Sequence, residues 1–143
     1  MKILWRNFPI PEPFVFPLLA GGFLQIIVPA SVLPPSRAWI PLGSILMITG
    51  VIFAFWAVFV AGNHDLTRPA SLLTKGPYAF SRNPMYLAWT AFAVGLGLLL
   101  NSLWLAIAAL GASIYIHTVT IPGEEQALQR SFGAEYASYR KRV

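Results

Sequence analysis

The sequence predicts an all-α integral membrane protein with about four transmembrane helices and a C-terminal interfacial amphipathic helix. Hydrophobic residues fill 57% of its 143 positions and charged residues only 10%, against roughly 25% charged in a soluble domain. The 41 residues from Asn83 to Gly123 include no Asp, Glu, Lys or Arg. Aromatic residues reach 14%, and Trp and Tyr are the side chains that anchor proteins at bilayer faces.

The chain opens with Met1-Lys2-Ile3-Leu4-Trp5-Arg6 and then Pro9, Pro11, Glu12 and Pro13. A signal peptide would follow its charges with a short apolar run and a small-residue cleavage site, so the segment is expected to stay uncleaved. A helix crossing a roughly 30 Å hydrocarbon core needs about 20 apolar residues. The first span is placed near 14–33, with Pro17 and Pro29 as kinks that membrane helices tolerate, and the second near 39–62. As one helix, the uncharged stretch after Arg82 would extend about 60 Å, roughly two bilayer cores, so it must turn back. Its central polar pair, Asn101-Ser102, marks the turn and divides it into spans near 84–100 and 103–121. Ala91, Gly95 and Gly97 permit close helix approach.

The tail, 122–143, reads as a separate helix. Pro122 suits a first helical turn, Glu124 and Glu125 would face the helix dipole, and Leu128, Phe132, Tyr136 and Tyr139 form an apolar stripe. Gly133 is its weak point. The whole chain, 1–143, forms a single domain.

Nine basic residues (Lys2, Arg6, Arg68, Lys75, Arg82, Arg130, Arg140, Lys141 and Arg142) lie on one side of these spans and Arg37 alone on the other. The positive-inside rule then makes the protein multi-pass, with both termini and the 63–83 loop cytoplasmic. The net charge of +5 suits anionic headgroups rather than nucleic acid, because no basic run is interleaved with aromatics. Cysteine is absent, which excludes disulfides and thiolate chemistry. His64 and His117 are the only histidines and no ligand cluster accompanies them, so no metal is expected. Gly95-Leu96-Gly97 lacks the strand and third glycine of a nucleotide loop and reads as a packing surface.

Gly76-Pro77-Tyr78-Ala79-Phe80-Ser81-Arg82-Asn83-Pro84-Met85-Tyr86 sits where the polar loop meets the uncharged stretch. Each piece has a structural explanation: a Gly-Pro turn, an Asn83 N-cap, Pro84 at the first helical position and Tyr86 in an aromatic belt. The combination resembles the Gly-x-Tyr-x-x-x-Arg-His-Pro-x-Tyr signature of the isoprenylcysteine carboxyl methyltransferase and phospholipid methyltransferase superfamily. Glu124-Glu125, Phe132-Gly133-Ala134-Glu135-Tyr136 and Tyr139-Arg140-Lys141-Arg142-Val143 resemble that family's second block, in the same order and spacing. The resemblance covers about residues 72–143.

It implies a membrane methyltransferase that takes S-adenosylmethionine as cofactor in a cytosol-facing pocket. Carried onto this chain, it implies cofactor contacts from Ala70, Ser71, Leu72, Leu73 and Tyr78. Further contacts would come from Arg82, Asn83, Pro84, Met85 and Tyr86, and from Glu124 with Glu125. A sulfonium cation bearing an ammonium group suits aromatic faces and a carboxylate. The implied partners are membrane lipids and a lipophilic acceptor: a prenylcysteine-like carboxyl, a phospholipid amine or another small lipophile. Two positions depart from the family. Asn83 replaces the usual His, and Thr120 stands where prenylcysteine enzymes carry an Arg, which leaves the acceptor open. His117 and Thr120 are the candidate substrate contacts, with a core role for His117 equally open. No catalytic base is assigned, because methyl displacement chiefly requires alignment and exclusion of water. The alternatives are an NADPH-dependent enzyme like the sterol reductases and a non-catalytic small membrane protein.

Overall fold

The computed structural model describes residues 12–62, 64 and 69–143, all helix, turn or irregular chain without strands. Lys2, Arg6 and Arg68, part of the charge asymmetry, lie outside the described residues. The helices are α1 (Glu12–Ile27), α2 (Trp39–Ala61), α3 (Pro84–Leu99), α4 (Leu103–Tyr115) and α5 (Ile121–Arg142). A 3₁₀ turn at Gly76–Ala79 precedes α3 and a π turn at Ile116–Thr120 joins α4 to α5.

Helices therefore occupy all four expected spans, but two have the length and composition to cross a membrane: α2, of 23 residues, and the run Leu103–Arg142. The 16 residues of α1 and of α3 each rise about 24 Å, short of a hydrocarbon core. The expected first span, 14–33, is cut at Ile27. Pro29 acts there as a terminator rather than a kink: it disfavours helical geometry at Val28 and has no N–H to give. Pro17 stays inside α1.

In space the helices run α2, α3, α4, α1, each packed mainly on the next. The α2–α3 contact is backbone on backbone. A Cβ built on Gly95 would lie 2.5 Å from Met47 N and 2.7 Å from Gly43 O, and one on Gly43 would lie 2.5 Å from Leu99 N. Gly95 thus serves α2 rather than the α3–α4 hairpin, where Gly97 faces Ala106. The buried cluster of Phe14, Ala93, Ala109, Ala112 and Ile116 joins α1, α3 and α4. Outward-facing side chains are apolar: Phe16, Phe23 and Ile26 on α1, Ile45, Ile52, Phe55 and Phe59 on α2, and Ile107, Leu110 and Ile114 on α4. A soluble protein rarely exposes so continuous an apolar surface, which a lipid environment would cover.

One end of the bundle is tied by the hairpin turn. Asn101, at φ 44°, accepts from Leu33 N at 3.0 Å and donates to Leu33 O at 2.9 Å. Ser102 caps α4 through Leu105 N at 3.3 Å and donates to Gln25 Oε1 at 2.7 Å. The polar pair that makes the turn also clasps the α1–α2 connection.

The tail departs from expectation at its start and at its middle. It does not begin as a separate helix at Pro122, because the π turn carries α4 straight into α5, with Ile121 N–H bonded to Ile116 O. Proline lacks an N–H and crowds the carbonyl four residues back, here Thr118, and a locally wider turn accommodates both defects. The tail also breaks at Gly133 (φ 50°, ψ −117°). On a straight helix Glu125 and Arg140 would lie roughly 22 Å apart, yet Arg140 Nε is 3.7 Å from Glu125 Oε2. The chain folds back at Gly133, so Leu128, Phe132, Tyr136 and Tyr139 do not form one face of a single helix.

Candidate functional site

At the opposite end of the bundle, α3's entrance, the 3₁₀ turn and α5 converge. Asn83 occupies the N-cap position and Pro84 the first turn, as expected, but the Asn83 side chain makes no cap bond. Ser81 Oγ accepts from Asn83 N at 3.2 Å instead. The amide of Asn83 is left for other partners, while Pro84 is buried.

Two contacts bring the motif to the acidic pair across the hairpin. Tyr86 donates its hydroxyl hydrogen bond to Glu124 Oε1 at 2.6 Å. Arg82 donates from Nε to Glu125 Oε1 at 2.8 Å, and its Nη2 lies 2.8 Å from the same oxygen. The placement of both carboxylates follows from these partners. A free helix N-terminus does not account for it, because the amides at 121–123 follow a helical turn. Partial desolvation pushes the Glu124 carboxyl above its ordinary range, and the Tyr86 hydroxyl opposes that shift.

Behind these pairs the returning tail packs on the loop. Tyr139 donates to the Tyr78 carbonyl at 2.6 Å in a buried bond. Tyr136 is fully buried, its ring 6.2 Å from that of Tyr139. Burial, with Tyr139 adding to it, pushes the Tyr78 phenol up to about 12. Two buried polar atoms here, Tyr78 OH and Tyr136 OH, make no hydrogen bond, although burial and then the nearby Glu125 carboxylate raise the Tyr136 phenol. Native structures rarely leave such groups unpaired, and unfilled pairing capacity near a polar site fits a ligand.

Of the residues singled out from sequence, Tyr78, Arg82, Tyr86, Glu124 and Glu125 form this cluster. Asn83, Pro84 and Met85 are held at its edge by the start of α3. Ala70, Ser71, Leu72 and Leu73 precede the 3₁₀ turn, where Ser71 Oγ lies 3.5 Å from His64 Nδ1, and no hydrogen bond links this stretch to the cluster. His117 is exposed on the π turn and Thr120 half-buried at its end; neither bonds to the paired groups. The sequence reading places Tyr136, Tyr139 and Arg140 in the second motif block and the tyrosines in the apolar stripe, but gives none of them a place in the site. Their proximity depends on the fold-back at Gly133.

A sequence profile described as phospholipid methyltransferase matches residues 39–135. The chain belongs to this family. It is 33% identical over 109 residues to the protein-S-isoprenylcysteine O-methyltransferase of Rattus norvegicus, covering 71% of this chain and 38% of that protein. Identity to the Xenopus laevis protein of the same name is 26% over 133 residues, or 86% of this chain and 46% of that one. The nickel-cobalt-cadmium resistance protein NccN of Alcaligenes xylosoxydans xylosoxydans is 28% identical over 109 residues, covering 76% and 49%. The chain thus spans less than half the length of these relatives. No solved structure matches it. The family match begins at α2, earlier than the motif blocks, and so takes in the glycine-lined α2–α3 contact that positions α3's entrance.

Proposed function

We propose that the protein is a membrane methyltransferase that takes S-adenosylmethionine at the Tyr86–Glu124 cluster and methylates a lipophilic acceptor reaching it from the bilayer. The observation that carries this reading is the 2.6 Å bond from Tyr86 to Glu124, which joins the two family motifs across the hairpin. The residues present suit the cofactor. Glu124 offers a carboxylate to an ammonium group, and the rings of Tyr78 and Tyr86 suit a sulfonium cation. The uncommitted Asn83 amide and the Tyr78 hydroxyl, buried without a hydrogen bond, supply further hydrogen-bonding capacity. When bound, the cofactor supplies an electrophilic methyl group on a sulfonium sulfur.

The chain's own residues would then bind and align. Arg82 holds Glu125 and thereby fixes α5 over the start of α3. Tyr139 and Tyr136 seal the loop side against water. No side chain need remove a proton if the acceptor arrives as a nucleophile, so these residues act by orientation and desolvation. The basic-residue asymmetry supports placing this end of a multi-pass bundle in the cytoplasm, with Arg37 outside.

Titration calorimetry of the purified protein in lipid nanodiscs with S-adenosylhomocysteine tests the reading. Saturable binding is expected, weakened at least tenfold by Tyr86→Ala or Glu124→Ala, each a loss of about 1.4 kcal/mol or more. Folded protein that binds no S-adenosylhomocysteine would sink it. Saturable NADPH binding in its place would favour a reductase.

A further inference from the structure

Trp89 lies three residues after Tyr86 on α3, about 4.5 Å further along the helix axis toward the membrane interior. Trp39 and Trp104 both find a carbonyl for their indole N–H: Pro34 O at 3.0 Å and Val28 O at 2.7 Å. Trp89 does not, although its Nε1 is buried. It packs, with Tyr86 and Ile121, on the cluster of Phe14, Ala93, Ala109, Ala112 and Ile116, and its ring meets Phe92 edge-on at 5.4 Å. A buried water needs two to four polar partners, and the cluster's side chains are all apolar. The hydroxyl of Thr90, next in sequence, bonds that of Ser113 at 3.4 Å, which donates to Ala109 O at 2.7 Å, and neither accepts from the indole.

The surroundings also limit the charge of whatever this N–H meets. No residue from Asn83 to Gly123 carries a formal charge, and Arg82 is already paired with Glu125. An anion drawn in beside Trp89 would find no counter-charge and would stay costly to bury. An uncharged oxygen accepts the indole hydrogen without that penalty. A lipid-facing bundle delivers such oxygens on ester, thioester and amide groups.

We propose that the Trp89 indole N–H is a positioning donor for an uncharged carbonyl oxygen of the acceptor, held one helical turn to the membrane side of Tyr86. The proposal rests on the methyltransferase reading and narrows it: the acceptor carries a neutral carbonyl next to its apolar chain.

The test uses the full chain in dodecyl maltoside with ¹⁵N-labelled tryptophan, the Trp89 indole resonance being assigned by its loss in Trp89→Phe. Methyl myristate and pentadecane serve as probes, matched in chain character and differing in the carbonyl. Methyl myristate is expected to move the Trp89 indole proton downfield and pentadecane to leave it in place. Trp89→Phe is expected to weaken methyl myristate binding about tenfold, the scale of one hydrogen bond, with S-adenosylhomocysteine affinity unchanged within about twofold. An equal response to both probes, no response, or unaltered methyl myristate affinity in Trp89→Phe would overturn the proposal. Wild-type protein that gives the indole response yet binds no S-adenosylhomocysteine would overturn the methyltransferase reading and leave the Trp89 contact standing.

Discussion

Glu125 has two cationic neighbours of unequal weight, and a pair of double-mutant cycles separates them. Arg82 reaches its carboxylate twice at 2.8 Å, with side chains 26% and 14% exposed. Arg140 stands off at 3.7 Å and is 58% exposed. Exposed pairs contribute about 0–1 kcal/mol, whereas removing one partner of a fully buried pair costs roughly 3–5 kcal/mol. The Arg82 pair lies between those limits, so its coupling energy with Glu125 should be about 1–2 kcal/mol, while that of Arg140 should stay below about 0.5 kcal/mol. The cycles use Arg82→Ala, Arg140→Ala and Glu125→Ala, singly and combined, with denaturant unfolding followed in nanodiscs. The Arg82–Glu125 pair also holds α5 over the start of α3, so Arg82→Ala should release the tail to proteolysis. Equal couplings for the two arginines, or an Arg82 coupling near zero, would refute the idea that this pair closes the site.

Tyr139→Phe removes the buried donor to the Tyr78 carbonyl and should cost about 1–2 kcal/mol in unfolding free energy. Tyr136→Phe deletes a hydroxyl that makes no hydrogen bond, though it lies near the Glu125 carboxylate, so the same measurement should show a change below about 1 kcal/mol, with the loss appearing in S-adenosylhomocysteine affinity. The raised Glu124 carboxyl gives a pH dependence of known sign. Binding a cation requires the ionised form, so affinity should begin to fall on acidification above the ordinary carboxylate range; Tyr86→Phe, which removes the opposing hydrogen bond, should move that limb to higher pH, and Glu124→Gln should abolish it. Glu124's contribution to stability runs the other way: it is fully present below the unfolded-state value and lost as pH rises through the raised folded-state value. Gly95→Ala drives a methyl to 2.5 Å from the α2 backbone and should destabilise by about 1–3 kcal/mol in thermal unfolding, whereas Gly111→Ala, with nothing within 4 Å, should not destabilise.

Local features were legible in the sequence where one residue type has one physical use. Asn101-Ser102 had to turn because no other polar pair lies in the middle of the uncharged stretch, and Pro84 had to open α3. Contacts between distant segments were not. Nothing local states that Asn101 will clasp Leu33, 68 residues away in sequence, or that Gly95 will face Gly43 rather than α4. Pro29 read as a tolerated kink because the sequence does not reveal that Ala30, the next residue, is held outside the helix, accepting from Leu103 N and donating to Gln25 Oε1. At the site, the motif residues were visible as a family pattern, but their pairing was not: two adjacent glutamates give no sign of which takes Tyr86 and which takes Arg82. Gly133 was visible as a weak point, while the direction in which the tail folds depends on Tyr139 and Arg140 finding partners.

The π turn resolves that pairing. A π turn inserts about one residue into the helical repeat and so rotates everything beyond it by roughly 100° relative to an uninterrupted α-helix. Ile116, the first residue of the turn, remains buried in the bundle, fixing the phase of α4, while Glu124 and Glu125 emerge after the turn in the phase that reaches Tyr86 and Arg82. Adjacent residues on a helix also diverge by about 100°, which lets the two carboxylates address Tyr86 on α3 and Arg82 just before it without competing. Pro122 keeps the register from relaxing, because a regular α-helix through this point would press its ring on the Thr118 carbonyl. A single proline just beyond the membrane-facing stretch thus sets the rotation of the acidic pair. The apolar surface of α4 and the polar site on α5 can then belong to one continuous element and still face different partners.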